Sequence, residues 1–481
     1  MTMVGFGVAS LLVGAWTLSG GPQSPTTASP PADSQSATTA KAKSLPKVQS
    51  PPKPAFPPKD LRSRKQGQDW PRFLGPNYDG KSPETGIRTD WSKGLPILWQ
   101  TEMGEGYAAP VTSLGRIFLF DRVKNEARLR CLHSETGEEL WRRTYPTTYE
   151  DMYNYSGGPR AAPLVDESTV FIFGVDGMLQ ARNVPDGELI WQVETSPVYG
   201  VRQNFFGAGA SPAVFGDLLL VLVGGSPKDS PGIQSGQVTS NGTGIVAFHK
   251  ETGEEVYRLG NYLASYASLV LTQWDDEPWA FAFTRGGLAA FDPKAGEERF
   301  FLPWRAKMLE SVNAATPVVL DRRVFITETY GPGAAMVAVE NNEPRILWQD
   351  TRRQRSLASH WATPIHVDGH LYGSSGRATG NGELRSIDLK NGEVKWRERG
   401  LGRASVLFVD GHFVVLGEYG ELRLVRATPE SYQERGRWEP KDDQGKPLLA
   451  HPAWNAPILS HGMLYVRGKD RLLALDLIPA N

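Results

Sequence analysis

The chain has 481 residues, of which 40% are hydrophobic and 22% are charged, so its composition is that of a globular protein. A formal net charge of −1 provides no general attraction for nucleic acid or for acidic lipid. Cys131 is the only cysteine, which excludes an intramolecular disulfide and a cysteine-rich metal site. The 51 glycines and 36 prolines suit many short strands joined by tight turns.

The first 66 residues differ in composition from the rest. Residues 1–20 contain the apolar stretch VGFGVASLLVGAWTL (4–18), which has the length of an export-signal core. We expect a signal peptide or an N-terminal membrane anchor here, and therefore a bacterial protein of the periplasm or cell envelope; a buried strand or helix is the alternative. Residues 21–66 are rich in Pro, Ser, Thr, Ala and Lys, which predicts a disordered linker before a folded body at 67–481.

Eight short motifs of small residues, most of them with a proline, recur at intervals of about 50 residues, and each is followed by strand-like alternation. They are AAPVTS (108–113), AAPLVD (161–166), ASPAVF (210–215), YASLVL (266–271), ATPVVL (315–320), ATPIHV (362–367), RASVLF (403–408) and NAPILS (455–460). Four short strands in a unit of about 50 residues are typical of a propeller blade. The sequence therefore predicts an all-β, eight-bladed propeller with four-stranded blades.

A second sequence motif also recurs, in which an aromatic residue follows a Gly-Glu turn. The copies are SETGEELW (134–141), VPDGELIW (184–191), KETGEEVY (250–257), PKAGEERF (293–300) and LKNGEVKW (389–396). The glycine supplies the positive φ angle of a tight hairpin between the third and fourth strands. The aromatic residue then falls on the outermost strand, where we expect Trp141, Trp191 and Trp396 to cover the joints between blades.

The last unit, MLYVRGKDRLLALDLIPAN (463–481), contains only its second and third strands. The segment LPILWQTE (95–102) has the pattern of the missing fourth strand and carries the expected aromatic residue at Trp99. We expect this N-terminal strand to complete the last blade and close the ring, which leaves no free sheet edge. Trp99 then becomes a fourth interblade tryptophan.

The phrases IDLKNGEVKW (387–396) and CLHSETGEELW (131–141) resemble the repeat of the pyrroloquinoline-quinone (PQQ)-like β-propellers, and the resemblance covers residues 67–481. Three segments are similar to exported bacterial proteins that resemble the outer-membrane assembly factor BamB: DWPRFLGPNYDGKS (69–82), SGGPRAAP (156–163) and VNAATPVVL (312–320). The resemblance implies the fold, because the superfamily contains both quinoprotein dehydrogenases and non-catalytic scaffolds. The chain lacks the adjacent cysteines of the former and an acylated cysteine near position 20 of the latter.

The loops that lead into the first strands of a propeller, here called the mouth loops, converge on one end of the central channel, which is the natural place for a pocket. The candidate binding residues of this rim are Tyr107, Arg160, Asn204, Phe206, Tyr266, Asn313, His360, Trp361, Arg403, Trp454 and Asn455. Aromatic rings and guanidinium groups suit a planar anionic or carbonyl-bearing ligand, or a peptide. The alternative is that these side chains plug the channel and brace one another.

Metal chemistry has little support in the sequence. PQQ requires a calcium ion with oxygen ligands, for which Asn313 and Glu310 are the candidates, but no pattern of residues marks them as ligands. His370 and His412 occupy the same position of a repeated hairpin, HVDGHLY and FVDGHFV, so they point outward from separate blades. We therefore predict no metal site and no cofactor, and we assign no catalytic residue.

The hypothesis that we favour is an exported or membrane-tethered, monomeric, non-catalytic scaffold. It would present its rim loops to a protein, peptide or glycan partner, would bind no nucleic acid, and would contact the membrane through its N-terminal segment. The alternative is a PQQ-dependent oxidoreductase acting on an alcohol or sugar, with the quinone and calcium at the mouth of the channel.

Overall fold

A computed structural model describes residues 58–202, 205–232 and 235–480. The expected signal or anchor at 1–20, and the expected linker as far as residue 57, lie outside these described residues. Within the described part of the chain, no helix is both long enough and apolar enough to cross a membrane.

The described residues form eight antiparallel sheets of four strands, one of which carries an additional fifth strand, and the sheets are the blades of one ring. We number the blades 1 to 8 in the chain order of their first strands. The predicted eight-bladed, all-β propeller is confirmed.

The strands have the following bounds. The extra strand is β1 (Lys81–Ser82), and β2 (Ile97–Glu102) is the outer strand of blade 8. Blades 1 and 2 contain β3 (Val111–Ser113), β4 (Arg116–Val123), β5 (Glu126–His133), β6 (Glu139–Pro146), β7 (Leu164–Asp166), β8 (Thr169–Phe173), β9 (Met178–Asn183) and β10 (Leu189–Glu194). Blades 3 and 4 contain β11 (Ala213–Phe215), β12 (Leu218–Leu222), β13 (Ile245–His249), β14 (Glu255–Leu259), β15 (Val270–Trp274), β16 (Glu277–Phe283), β17 (Gly287–Asp292) and β18 (Glu297–Pro303). Blades 5 and 6 contain β19 (Val318–Leu320), β20 (Arg323–Thr327), β21 (Ala334–Glu340), β22 (Glu343–Gln349), β23 (Ile365–Val367), β24 (His370–Ser375), β25 (Glu383–Asp388) and β26 (Val394–Arg399). Blades 7 and 8 contain β27 (Ser405–Val409), β28 (His412–Leu416), β29 (Leu422–Arg426), β30 (Glu434–Trp438), β31 (Ile458–Ser460), β32 (Met463–Arg467) and β33 (Arg471–Asp476). A short helix, α1 (Thr195–Tyr199), and a 3-10 turn at Thr379–Asn381 lie in loops.

Burial along the strands follows from the stacking of blades. The second and third strands are covered on both faces by neighbouring blades, so they are almost continuously apolar, as in LLLVL of β12. The outer strands alternate between buried and exposed positions, as in β6, because only one face meets the next blade. The core is therefore distributed among the joints between blades.

Closure of the ring uses the N-terminal strand. β2 pairs antiparallel with β33, with Thr101 opposite Leu472 and Glu102 opposite Arg471. Blade 8 thus takes three strands from the C-terminal end of the described chain and one from before blade 1. The predicted closure by residues 95–102 is confirmed.

The repeated Gly-Glu phrase forms the joints between blades. Trp141 of blade 1 is 8% exposed, and its indole Nε1 donates a hydrogen bond of 3.0 Å to the carbonyl oxygen of Val184 in blade 2. A Cβ atom at Gly187 would come within 2.6 Å of the same indole ring. The aromatic residue of one blade therefore packs on the turn glycine of the next, which explains why both recur together.

The same contact is made at other joints. Four further tryptophans donate from Nε1 to a backbone carbonyl of the following blade: Trp99 to Ser134, Trp191 to Lys250, Trp348 to Leu389 and Trp396 to Thr428. Trp348 is an addition to the four tryptophans that the sequence analysis names.

The chain before the first blade enters the channel. Trp70 donates from its backbone N–H to Oγ1 of Thr112, and Pro71 accepts from the N–H of Val165 at 2.8 Å. β1 then pairs in parallel with β27, the first strand of blade 7. Residues 70–82, here called the plug segment, thus occupy the channel and bond to the first strands of three blades. No sequence pattern predicted a structural role for this segment.

Residues 58–66 of the expected linker also contact the propeller. The N–H of Leu61 donates to Leu114 O at 3.1 Å, and Arg64 forms an ion pair with Asp476 at 2.8 Å. Leu114 lies in the turn between the first and second strands of blade 1, and Asp476 ends the third strand of blade 8. Both positions are at the end of the ring opposite the mouth loops.

Candidate functional site

A cavity of about 1040 Å³ lies at the end of the channel where the mouth loops converge, and we call it the cup. Phe73 and Leu74 of the plug segment contribute to its lining. The plug segment therefore closes the channel, and the cup opens at the end where the mouth loops lie. Nine of the residues that the sequence analysis names line it: Tyr107, Arg160, Phe206, Tyr266, His360, Trp361, Arg403, Trp454 and Asn455.

The two other candidates do not form part of the described lining. Asn204 lies outside the described residues. Asn313 is fully buried behind the wall, where its amide Nδ2 donates to the carbonyl oxygens of Thr284 at 2.8 Å and Trp304 at 2.9 Å. Its backbone carbonyl accepts a hydrogen bond from Ser265 Oγ. These contacts hold the mouth loop of blade 5 in place.

Arg160 is held by a buried carboxylate. Its Nη2 lies 2.7 Å from Oδ2 of Asp151, and the Asp151 side chain is only 1% exposed. The guanidinium carbon lies 5.9 Å from the ring centre of Tyr107 and 5.6 Å from that of Phe206. Its charge is thus compensated, while its position between two rings is fixed before any ligand arrives.

Arg403 repeats this arrangement with different residues. Its Nε donates to Oε1 of Glu418 at 3.0 Å, and Nε1 of Trp454 donates to the same oxygen at 2.8 Å. Its guanidinium lies 4.6 Å from the ring centre of Trp361 and 5.0 Å from that of Trp454. Burial raises the pKa of Glu418, but the hydrogen bonds from Arg403 and Trp454 outweigh burial and hold that pKa at about 2.

His360 is neutral in this environment. Burial, followed by the charges of Arg403 and Arg377, lowers the pKa of His360 to about 3. Its Nε2 is 2.8 Å from the hydroxyl of Tyr330, and its ring centre is 4.7 Å from that of Trp361. The imidazole therefore acts as a polar aromatic wall of the cup at neutral pH.

A second aromatic wall comes from the longest mouth loops. Phe206 packs against Tyr153 and Tyr266, with ring centres 5.6 Å and 5.7 Å apart. Tyr153 and Tyr155 remain 45% and 63% exposed at the rim. Exposed aromatic rings supported by a buried cluster are typical of the central part of a binding surface.

Lining residues from another set of loops were not predicted from the sequence. Tyr330, Arg377 and Lys469 lie between the second and third strands of blades 5, 6 and 8. In an antiparallel four-stranded blade, the loops between second and third strands lie at the same end as the mouth loops. The order of the strands could therefore have identified these residues as part of the lining. Arg377 has no carboxylate partner among the described residues, and it lies 4.5 Å from the ring centre of Tyr330.

The oxygen atoms of the cup do not fit the calcium ion that a bound PQQ requires. The two buried carboxylates next to the cup, Asp151 and Glu418, are each occupied by an arginine, and the amide of Asn313 lies behind the wall. Of the two expected calcium ligands, Glu310 alone lines the cup, as an exposed side chain. In the described part of the chain, no group of three or more His, Cys, Asp or Glu side chains is placed to hold a metal ion.

Comparison with known proteins identifies related sequences. A family model described as "Outer membrane protein assembly factor BamB" matches residues 96–228 and 221–398. The outer membrane protein assembly factor BamB of Shewanella oneidensis is 21% identical over 414 residues, which are 80% of this chain and 89% of that protein.

Comparison with solved structures shows the fold. Quinohemoprotein alcohol dehydrogenase from Comamonas testosteroni is 11% identical, with a TM-score of 0.60 over 86% of this chain and 81% of that one. BamB from Moraxella catarrhalis is 14% identical, with a TM-score of 0.51 over 79% of this chain and 97% of that one. An enzyme and an assembly factor share this architecture, so function must be argued from the site.

Proposed function

The chain belongs to the family described as outer membrane protein assembly factor BamB, and from that premise we propose that it is a non-catalytic binding scaffold of the bacterial cell envelope. Its cup would hold a segment of a partner protein that acts in outer-membrane assembly, the process for which its relatives are named. No cofactor takes part in this function.

The observation that carries the proposal is the pairing of two of the three cup arginines, Arg160 and Arg403, with buried carboxylates. A general base must be free to accept a proton, whereas Asp151 and Glu418 are each engaged with an arginine. The carboxylate that lines the cup, Glu310, is exposed to solvent. The effect of Asp151 and Glu418 is to fix the guanidinium groups between aromatic rings. A surface that is organised in advance loses little side-chain freedom on binding, which favours recognition.

The exposed rings favour a protein segment over a small solute. Tyr153 and Tyr155 extend the apolar wall from the cup to the rim, and Met308, which is 36% exposed, also lines the cavity. Arg377 adds a cation without a carboxylate partner in the described structure. We therefore expect a segment with a large apolar side chain next to an acidic one.

Site-specific photo-crosslinking in living cells tests this function. A photoreactive phenylalanine analogue at Tyr155 should give one discrete adduct, whose partner segment is identified by mass spectrometry. The same analogue at Val256, which is 53% exposed on an outer strand, is the matched control and should give no such adduct. Equal adducts at both positions, or none at Tyr155, would contradict the proposal.

A synthetic peptide of the cross-linked segment then provides a quantitative test. Its dissociation constant, measured by calorimetric titration, should rise at least about tenfold in Trp361→Ala, the loss expected of an aromatic binding residue. Titration with PQQ in the presence and absence of Ca²⁺ tests the enzymatic alternative. Saturable, calcium-dependent binding of PQQ would overturn the scaffold proposal.

A further inference from the structure

Most buried arginines of this propeller have several hydrogen-bond acceptors. Arg467, which is 1% exposed, donates to the carbonyl oxygens of Ala108, Gly104 and Gly106. Arg285 is 3% exposed but donates a single hydrogen bond, from Nη2 to Leu309 O at 2.9 Å. Its Nε is buried and has no acceptor in the described structure. Arg285 is therefore a buried cation with unused donors.

Within the described residues, no negative charge compensates Arg285. It forms no ion pair with a described carboxylate, and no such carboxylate contributes to its electrostatic environment. The charged side chain that acts on it is another arginine, Arg305, which donates to the same Leu309 oxygen at 3.2 Å. The ring of Phe205, 5.1 Å from the guanidinium, offers only a weaker attraction.

The protonation state of Arg285 follows from these surroundings. Burial, and then the charge of Arg305, lowers the pKa of Arg285 to about 10. The side chain thus remains cationic at neutral pH. A buried charge without a partner is unfavourable, so the site is incomplete as it stands.

Arg285 lines a second, smaller cavity of about 120 Å³ beside the cup, between blades 2, 3 and 4. Arg202 is a further cation of this lining. Asp176 also belongs to it, but its carboxylate accepts from the N–H of Met178 and the hydroxyl of Tyr145 and forms no ion pair with Arg285. The volume is several times the roughly 30 Å³ that a water molecule occupies in the liquid, which suits a small anion and excludes a nucleotide.

We propose that this cavity is a binding site for a small inorganic oxyanion of the phosphate or sulfate class, held by the guanidinium of Arg285. The planar fork of donors in a guanidinium matches the oxygens of such an anion. The anion would supply the missing negative charge and so stabilise the packing of blades 2, 3 and 4. This site is separate from partner binding in the cup, so either proposal can fail alone.

The test is a titration of the full chain with inorganic phosphate in a buffer whose anion is a bulky sulfonate. The wild-type protein should bind phosphate saturably with one site per chain, and its melting temperature should rise with phosphate concentration. Arg285→Met should weaken binding at least about tenfold, the effect of losing a charge-assisted contact. Arg305→Met, the matched control, should retain the site with a smaller loss.

A crystallographic measurement keeps the proposal testable should Arg285→Met fail to fold. Crystals of the wild-type protein soaked in selenate should show an anomalous peak within hydrogen-bond distance of Arg285. A cavity without such a peak would overturn the proposal, and so would equal phosphate affinity in the wild type and Arg285→Met.

Discussion

The joints between blades and the mouth cup are built from the same eight units, yet they follow opposite rules. At the joints, one contact recurs: an aromatic residue of one blade packs on the turn glycine of the next, as Trp141 does on Gly187 and Trp191 on Gly253. In the cup, each mouth loop contributes different side chains, such as Arg160, Tyr266 and Trp454. Repeated residues therefore hold the ring together, and the residues that break the repeat are the ones available for recognition.

Among the predicted changes, opening the ring should have the largest effect on stability. Deletion of residues 95–102 removes the outer strand of blade 8 and the Trp99 joint, so we expect loss of the cooperative thermal transition. Deletion of residues 21–57, which lie before the described propeller, should leave the melting temperature unchanged. Equal melting temperatures of the two deletion proteins would refute the role of closure, and differential scanning calorimetry gives both values.

A pair of single substitutions sharpens the contrast between joint and cup. Trp191→Ala removes a ring that is 1% exposed and should lower the free energy of unfolding by about 3–5 kcal/mol. Tyr155→Ala removes a ring that is 63% exposed and should change it by less than about 0.5 kcal/mol, while weakening partner binding. Urea unfolding and peptide titration measure the two effects. If both substitutions lowered stability equally, the division of roles would be wrong.

The ionisation of Glu418, next to the cup, makes the stability of the protein depend on pH. Because the pKa of Glu418 is depressed in the folded protein, its contribution is complete above pH 4.5 and is lost as the pH falls toward 2. Glu418→Gln leaves the guanidinium of Arg403 without its carboxylate and should cost about 3 kcal/mol at neutral pH. The variant should also show a flatter dependence of unfolding free energy on pH below 4.5. A variant with wild-type stability at pH 7 would contradict the importance of this pair.

His360 also makes stability depend on pH. Its folded pKa of about 3 lies below the ordinary value of 6.5, so the unfolded chain takes up a proton that the folded protein does not. Stability should therefore fall as the pH drops below 6.5, by at most about 1.4 kcal/mol per pH unit from this group. His360→Gln should show a shallower decline between pH 6.5 and 4.5, a window that lies above the titration of Glu418. Urea unfolding at several pH values across that window tests this prediction. Identical slopes of unfolding free energy against pH in the two proteins would mean that His360 is protonated in the folded protein.

The repeat itself, the number of blades and the closing strand could be predicted from the sequence. These features depend on local patterns: a small residue before each first strand, a positive-φ glycine such as Gly137 at the turn, and an aromatic residue four positions later. The third and fourth strands of a blade meet through a turn of a few residues, so neighbouring sequence is enough to specify them.

Only the tertiary structure decided what fills the channel and what faces the cup. The plug segment carries no repeat, and its partners Thr112, Val165 and β27 are far from it along the chain. The Arg403–Glu418 pair joins a mouth loop to a loop between the second and third strands, and Arg285 faces a cavity bounded by three blades. Pairing, burial and the absence of a counter-charge arise from side chains that folding brings together, and no local pattern encodes them. The sequence by itself thus determined the ring, and long-range packing determined the chemistry of its mouth.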